Sequence, residues 1–153
     1  MTRAAQSGFT LIELLVVLVI MGIAVTAVGL SVRPDPLYLL RQDASHLLQG
    51  LQAAQAEALA DGRPITWQAD STGFRFSRRD ERRTGLDQFH DDPQLRPRAW
   101  STPAIEVRVI PNQRLVLNAE WFEAALRLQL SDGQNSVSVL RTAAGTFRLE
   151  TTP

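Results

Sequence analysis

Few residues of this chain have the types and the spacing that catalysis or metal binding requires. Residues 89–92, Phe-His-Asp-Asp, place one imidazole beside two carboxylates. That set is incomplete for a metal ion, and a solvated acidic patch explains it better. His46 lies within a helical pattern that has no second ligand nearby, which favours an exposed or capped side chain. We therefore expect no metal site at either position.

The absence of other reactive groups points the same way. The chain has no cysteine, which excludes disulfides, thiolate catalysis and Cys-ligated metals. No Ser-His-Asp spacing, phosphate-binding glycine loop or zinc-binding helix motif is found. The 16 basic and 16 acidic residues balance, so the composition does not suggest a nucleic-acid partner. We predict a protein that is not an enzyme, binds no cofactor and does not act on nucleic acid.

Glu13 is different, because it stands at the start of a strongly apolar run. The nineteen residues from Leu14 to Val32 carry no charge, and a helix of that length spans roughly 28 Å, close to a bilayer's hydrocarbon core. The run is too long for the apolar part of a cleaved secretory signal, which favours a retained transmembrane helix. A carboxylate inside such a helix costs about 2.5–3.5 kcal/mol unless it is partnered.

Two explanations fit Glu13. In the first, its side chain simply reaches the lipid headgroups from the first turn. In the second, the chain is cut after Gly8, and Phe9 gains a positive amine four residues before Glu13 on the same helix face. That amine could pair with its own Glu13 or with the Glu13 of a neighbouring helix. The intermolecular pair would make subunits dock head to tail, which builds a filament.

The segment 8–23, GFTLIELLVVLVIMGI, resembles the prepilin signature of type IV pilins and type II secretion pseudopilins. The resemblance implies that residues 1–8 are a leader peptide, that a prepilin peptidase cuts between Gly8 and Phe9, and that the new Phe9 amine is methylated. It also implies that Glu13 pairs with the Phe9 amine of an adjacent subunit, with residues 9–32 as the transmembrane and assembly helix. Ser7 departs from the pattern, because a basic residue usually precedes the glycine.

Two glycines and two prolines interrupt this helical region. Gly22 and Gly29 each lower helix propensity by about 1 kcal/mol relative to alanine. They serve either close helix packing or the loosening of the helix on assembly that the resemblance implies. Pro34, together with Pro36, predicts a kink or break in the helix.

The remaining chain predicts an α+β fold. Apolar residues recur at three- and four-residue spacing within 33–62, which indicates an amphipathic helix that Gly62 ends. Seven short stretches with alternating polarity follow within 63–153, separated by glycine-bearing turns, and they predict antiparallel strands. One helix precedes the strands and none interleaves them, which is the α+β order. We expect the long helix, kinked near Pro34 and Pro36, to pack on this β-rich head.

Residues 80–103 interrupt the strands with nine charged residues and three prolines. A segment this long without its own pattern is either mobile or functional. Leu86, Phe89, Leu95 and Trp100 could hold it against the head or a partner, but we expect a largely mobile loop.

Two further segments, 47–68 and 128–149, resemble the H-type minor pseudopilins of type II secretion and their pilus counterparts of the FimT and FimU kind. The resemblance implies two small sheets in the head and a structural subunit near the tip of the pseudopilus, supporting export of folded proteins across the outer membrane. It implies an inner-membrane anchor with the head in the periplasm. The partners it implies are the prepilin peptidase, other major and minor pseudopilins and the inner-membrane assembly platform. A minor pilin that primes type IV pili and a non-assembling single-pass periplasmic binding protein remain as alternatives.

Overall fold

The computed structural model describes residues 10–29, 35–80, 85–119 and 125–151, with backbone only for 25–29 and 151. Two helices precede nine strands within these residues. The helices are α1 (Leu11–Gly29) and α2 (Pro36–Asp61). The strands are β1 (Ile65–Ala69), β2 (Gly73–Arg79), β3 (Leu86–Asp87), β4 (Arg98–Ala99), β5 (Glu106–Ile110), β6 (Val116–Leu117), β7 (Leu126–Ser131), β8 (Ser136–Arg141) and β9 (Phe147–Thr151).

The chain divides into two units, 1–34 with α1 and 35–153 with α2 and the strands. The described part of this region comprises two helices, of which the second begins at Pro36, and residues 30–34 between them lie outside the described residues. Asp35 accepts a hydrogen bond from the Leu37 amide at 3.0 Å, and Pro36 occupies the first turn, where a missing N–H costs nothing. Gly62 ends α2 in the left-handed conformation, as expected.

The head consists of two antiparallel sheets. One has the order β3-β2-β1-β6, with β4 also pairing with β2, and the other has the order β5-β7-β8-β9. The α+β fold with two small sheets is confirmed. All seven predicted strands are present, and β3 and β4 are added to them. These two are pairs of residues within the segment that we read as a loop, too short to show alternation in the sequence.

The hydrophobic core lies between α2 and the strands. The buried residues of α2 follow the predicted spacing: Leu40, Ala44, Leu47, Leu51, Ala54 and Ala58. The helix contacts β1 and β6 of one sheet and β7, β8 and β9 of the other. On β7 the alternation is complete, since Leu126, Leu128 and Leu130 are buried. The apolar stripe of α2 therefore joins both sheets to one core.

The segment 85–103 lies against the head. Phe89 and Leu95, two of the four anticipated anchors, are buried, Trp100 packs partly buried on the core, and Leu86 stays 64% exposed. Most of residues 85–103 has no helix or strand, while these anchors remove apolar area from water and the two short strands β3 and β4 pair with β2. The mobility of the segment stays a prediction.

The predicted transmembrane run extends beyond α1 on both sides. Residue 9 and residues 30–32 lie outside the described residues. Among the helices that the structure describes, none is at once long enough and apolar enough to cross a membrane.

Candidate assembly surface

The start of α1 places Glu13 in a helix cap. Thr10 precedes the first helical residue, and the Glu13 amide donates to the Thr10 carbonyl at 3.1 Å and to its hydroxyl at 3.4 Å. Threonine followed by glutamate three residues later is the spacing of a capping box. The carboxylate of Glu13 also lies in the first turn, where the helix dipole stabilises negative charge.

Sequence reasoning missed Thr10, although the Thr-Leu-Ile-Glu spacing carries the signal. The observed cap uses the backbone amide of Glu13, and the capping-box spacing also offers its side chain a structural role within one chain. Any assembly role must therefore be separated experimentally from capping.

The surface of α1 is apolar and uncovered. Every large apolar side chain from Leu11 to Ile23 is exposed, from 42% at Val17 to 83% at Leu11. Contiguous apolar surface on this scale marks contact with protein or membrane. A Cβ on Gly22 would meet nothing within 4 Å, so packing within this chain does not require a glycine there. Gly29 ends α1, while Gly8, Phe9 and Pro34 lie outside the described residues.

In the head, a buried carboxylate holds the end of the 85–103 segment. Asp43, on α2, is 2% exposed. It accepts the Ser101 amide at 3.0 Å from each oxygen and the Thr102 amide at 2.8 Å. Hydrogen bonds to a charged acceptor compensate the desolvation of the carboxylate. Asp43 was not anticipated, because its partners lie 58 and 59 residues away in sequence.

A second contact fixes the other side of this segment. The Arg78 guanidinium, on β2, reaches Asp61 at 2.6 Å, Glu57 at 3.1 Å and Asp87 at 3.4 Å. It also lies 4.8 Å from the centre of the Phe89 ring. One cation thus joins the last turns of α2 to β3, and its side chain is only 16% exposed.

The anticipated acidic patch is used within the chain. Asp92 accepts the amides of Gln94 at 2.7 Å and Leu95 at 2.9 Å, which is a local turn. Among the described residues no group of three potential metal ligands occurs. His46, on α2, is partly exposed.

Two tight turns each contain an aspartate whose pKa is lowered. The hydroxyl and amide of Thr72, the Gly73 amide and the nearby Arg75 charge hold the pKa of Asp70 below its ordinary value of 3.8. The side chain and amide of Asn135, with the Gln134 amide, lower the pKa of Asp132 in the same way. In both cases the carboxylate accepts hydrogen bonds within its own turn and stabilises that turn.

Comparison with known proteins gives two family matches. A model of the prokaryotic N-terminal methylation motif matches residues 3–29. A model of type II transport protein GspH matches residues 43–145, which is more than half of the chain. Type II secretion system protein H of Aeromonas hydrophila is 39% identical over 82 residues. That alignment covers 52% of this chain and 44% of the relative, so less than half of the relative's length is matched.

Solved structures show the same fold. The solution structure of Escherichia coli GspH gives a TM-score of 0.57 at 12% identity, covering 74% of this chain and 89% of that one. The crystal structure of the Pseudomonas aeruginosa type IV minor pilin FimU gives a TM-score of 0.51 at 18% identity, with 74% and 88% covered. At these identities the likeness concerns the fold.

Proposed function

The chain belongs to the family of type II transport protein GspH, and from that premise we propose that it is a minor pseudopilin near the tip of a type II secretion pseudopilus. There it supports export of folded proteins across the outer membrane. The family match over residues 43–145 is the observation that carries the proposal, with the methylation motif at 3–29 beside it. The chain is a structural subunit and not an enzyme, as its family is.

The exposed apolar surface of α1 supports a helix that occupies two apolar environments in turn, first the membrane and then the filament. Before assembly, this helix lies in the inner membrane with the head in the periplasm. The inner-membrane assembly platform then transfers it into the filament, where major and minor pseudopilins cover the same surface. Within residues 10–24, Glu13 is the one charged side chain, so it needs a partner in either apolar environment.

We assign that partner to the Phe9 amine of an adjacent subunit. A prepilin peptidase removes residues 1–8 and methylates Phe9, which keeps its positive charge. A pair between subunits fixes the axial register of neighbouring helices. Gly22, Gly29 and Pro34 then adjust packing or local helix loosening as the helix enters the filament.

Secretion and pilus functions are separated by complementation of a deletion strain. We expect the wild-type gene to restore exoprotein secretion and to leave pilus-dependent motility unchanged. Restored motility without secretion would instead identify a minor pilin of the FimT and FimU kind.

Maturation is tested by mass spectrometry of the membrane-extracted protein. The proposal requires a chain that starts at methylated Phe9. Gly8→Ala should leave the leader attached, whereas Ser7→Ala, its neighbour, should be cut normally. A wild-type protein that retains Met1 in working cells contradicts the maturation step.

Two variants test the charge pair by separating the negative charge of Glu13 from helix capping. Glu13→Gln removes the charge but keeps the capping spacing, since glutamine also serves at that position. Thr10→Ala removes the cap, at about 1 kcal/mol, and keeps the charge. We expect Glu13→Gln to insert in the membrane and to lose co-purification with other pseudopilins, while Thr10→Ala retains it.

The opposite pattern would assign Glu13 to helix capping. Loss of co-purification in Thr10→Ala with normal behaviour of Glu13→Gln means that the charge has no intermolecular partner. Membrane fractionation of both variants is the control for insertion.

A further inference from the structure

A groove of about 840 Å³ lies across one face of the five-stranded sheet and reaches the β6 edge. Its walls come from β1, β2, β3 and β6 and from the residues that precede β1. The lining is strongly basic, with four arginines against one carboxylate, Asp80: Arg63, Arg78, Arg79 and Arg114. The groove is therefore a local concentration of positive charge on a chain whose total charge is balanced.

Two of these arginines are already engaged. Arg78 pairs with three carboxylates of the head, as described above. Arg63 lies 4.0 Å from Asp61, and it also donates to the carbonyl of Arg79. Their charges are largely balanced by their own neighbours.

The other two guanidinium groups are available. Arg79 and Arg114 are both exposed, and within the described residues neither side chain forms an ion pair. Exposed guanidinium groups bind carboxylates through two parallel hydrogen bonds. The groove thus offers two unoccupied positions for acidic side chains.

The backbone of β6 supplies a second, independent feature. The Trp67 amide donates to the Leu115 carbonyl at 3.0 Å, so Leu115 directs its backbone groups to β1. Alternate residues of an antiparallel strand direct theirs to opposite sides, so those of Arg114 and Val116 face away from β1. No described strand pairs there, and among the described residues no backbone group is hydrogen-bonded to the outward groups of either residue.

The edge is closed just beyond this point. The Gln55 side chain of α2 donates to the Asn118 carbonyl at 2.8 Å. The open part of the edge is thus limited to Arg114–Val116, where it borders the groove through Arg114 and Val116.

We propose that this groove binds an extended acidic segment of a protein partner by strand addition. The backbone of the segment pairs with the outward N–H and C=O groups at Arg114 and Val116. A carboxylate on the residue opposite Val116 faces the groove and binds Arg114, while Arg79, two strands further across the sheet, adds positive charge to the same face. Charge complementarity selects the partner and the strand edge fixes its direction. The inference concerns the head alone and does not depend on the assignment to secretion.

The test uses the full chain in detergent micelles and the peptide acetyl-Glu-Val-Glu-Val-Glu-amide, with binding followed by calorimetry at low salt. Two matched peptides separate the two features. One carries lysine in place of glutamate, and the other is N-methylated at every backbone nitrogen, which keeps the charge and removes the backbone donors. A short single-stranded oligonucleotide tests for a nucleic-acid surface.

Four variants of the protein complete the design. Arg79→Gln with Arg114→Gln removes the free charges, and the exposed pair Arg41→Gln with Arg96→Gln is the matched control outside the groove. Val116→Pro removes the outward N–H, and Val116→Thr keeps it. Near-UV circular dichroism confirms that each variant is folded.

We expect the acidic peptide alone to bind, with affinity that falls as salt rises. The groove double variant should weaken binding at least about fivefold, and Val116→Pro should weaken it more than Val116→Thr. The control pair should bind as wild type.

Four results would overturn the proposal. These are no binding of the acidic peptide to the wild-type chain, equal binding of the lysine or N-methylated peptide, unchanged binding by the groove double variant, and tighter binding of the oligonucleotide than of the acidic peptide. The last would identify a nucleic-acid surface instead.

Discussion

Removing the Asp43 carboxylate should destabilise the head more than any other single change of an acidic residue there. Asp43→Ala leaves the amides of Ser101 and Thr102 without their acceptor, and Thr102 is only 3% exposed. A hydrogen bond to a charged group contributes about 1.5–3 kcal/mol, so two donors amount to about 3–6 kcal/mol. The group is buried, so solvent screening does not reduce this figure.

The consequence is measurable by thermal unfolding of the detergent-solubilised full chain. A loss of about 3–6 kcal/mol should lower the melting temperature by about 10–25 °C. Asp43→Asn should fall between wild type and Asp43→Ala. Its side chain keeps one acceptor oxygen, but its NH₂ group then faces a backbone N–H.

Hydrogen exchange adds a local measurement. The amides of Ser101 and Thr102 should lose protection in Asp43→Ala, which also tests the predicted mobility of the segment. The matched control is Asp91→Ala, an exposed acid of the same segment, which should stay within about 0.5 kcal/mol of wild type. A melting temperature within 2 °C of wild type for Asp43→Ala, or unchanged exchange at both amides, would refute the reasoning.

Three other changes give separate predictions. Gly73→Ala should severely destabilise the head, because a Cβ would lie 2.2 Å from the Arg98 carbonyl oxygen, whereas Gly85→Ala, whose Cβ meets an atom only at 4.0 Å, should be tolerated in urea unfolding. Since the pKa of Asp70 is lowered in the folded state, its turn stabilises the head above pH 3.8 and loses this contribution as pH falls through the lower folded value. Asp70→Asn keeps an acceptor in the turn and should flatten that part of the acid unfolding profile. Gly22→Ala should raise the helicity of α1 without a clash in the chain. Any loss of co-purification with pseudopilins would therefore indicate that a neighbouring subunit packs closely against Gly22.

The sequence predicted those parts of the head that repeat a period. The three- and four-residue spacing on α2 located its buried face, and alternation on β7 located the side that faces the core. Both signals arise because one face of each element is buried, so polarity must follow geometry. The Gly62 cap was equally predictable, because helices commonly end with a residue in the left-handed conformation, which glycine adopts without steric cost.

The structural features that the sequence did not predict depend on contacts between residues that are distant in sequence. Asp43 looks like an ordinary polar position in a helical pattern, because nothing near it in sequence reveals the amides that it accepts. The charge of Arg78 is likewise neutralised from α2 and from β3, two elements on either side of it in sequence. The availability of Arg79 and Arg114 in the groove could not be inferred either, since it depends on which arginines the fold has already paired.

The carboxylates of Glu13 and Asp43 differ in how the chain compensates their negative charge. Asp43 is a charge in an apolar setting, and the chain itself compensates it with backbone amides. The Glu13 carboxylate has no such compensation, because no described residue donates a hydrogen bond or an ion pair to it, and the surface around it is apolar and uncovered. The intersubunit pair proposed above would give Glu13 the partner that it lacks among the described residues, since a positive amine on a neighbouring helix has the opposite charge.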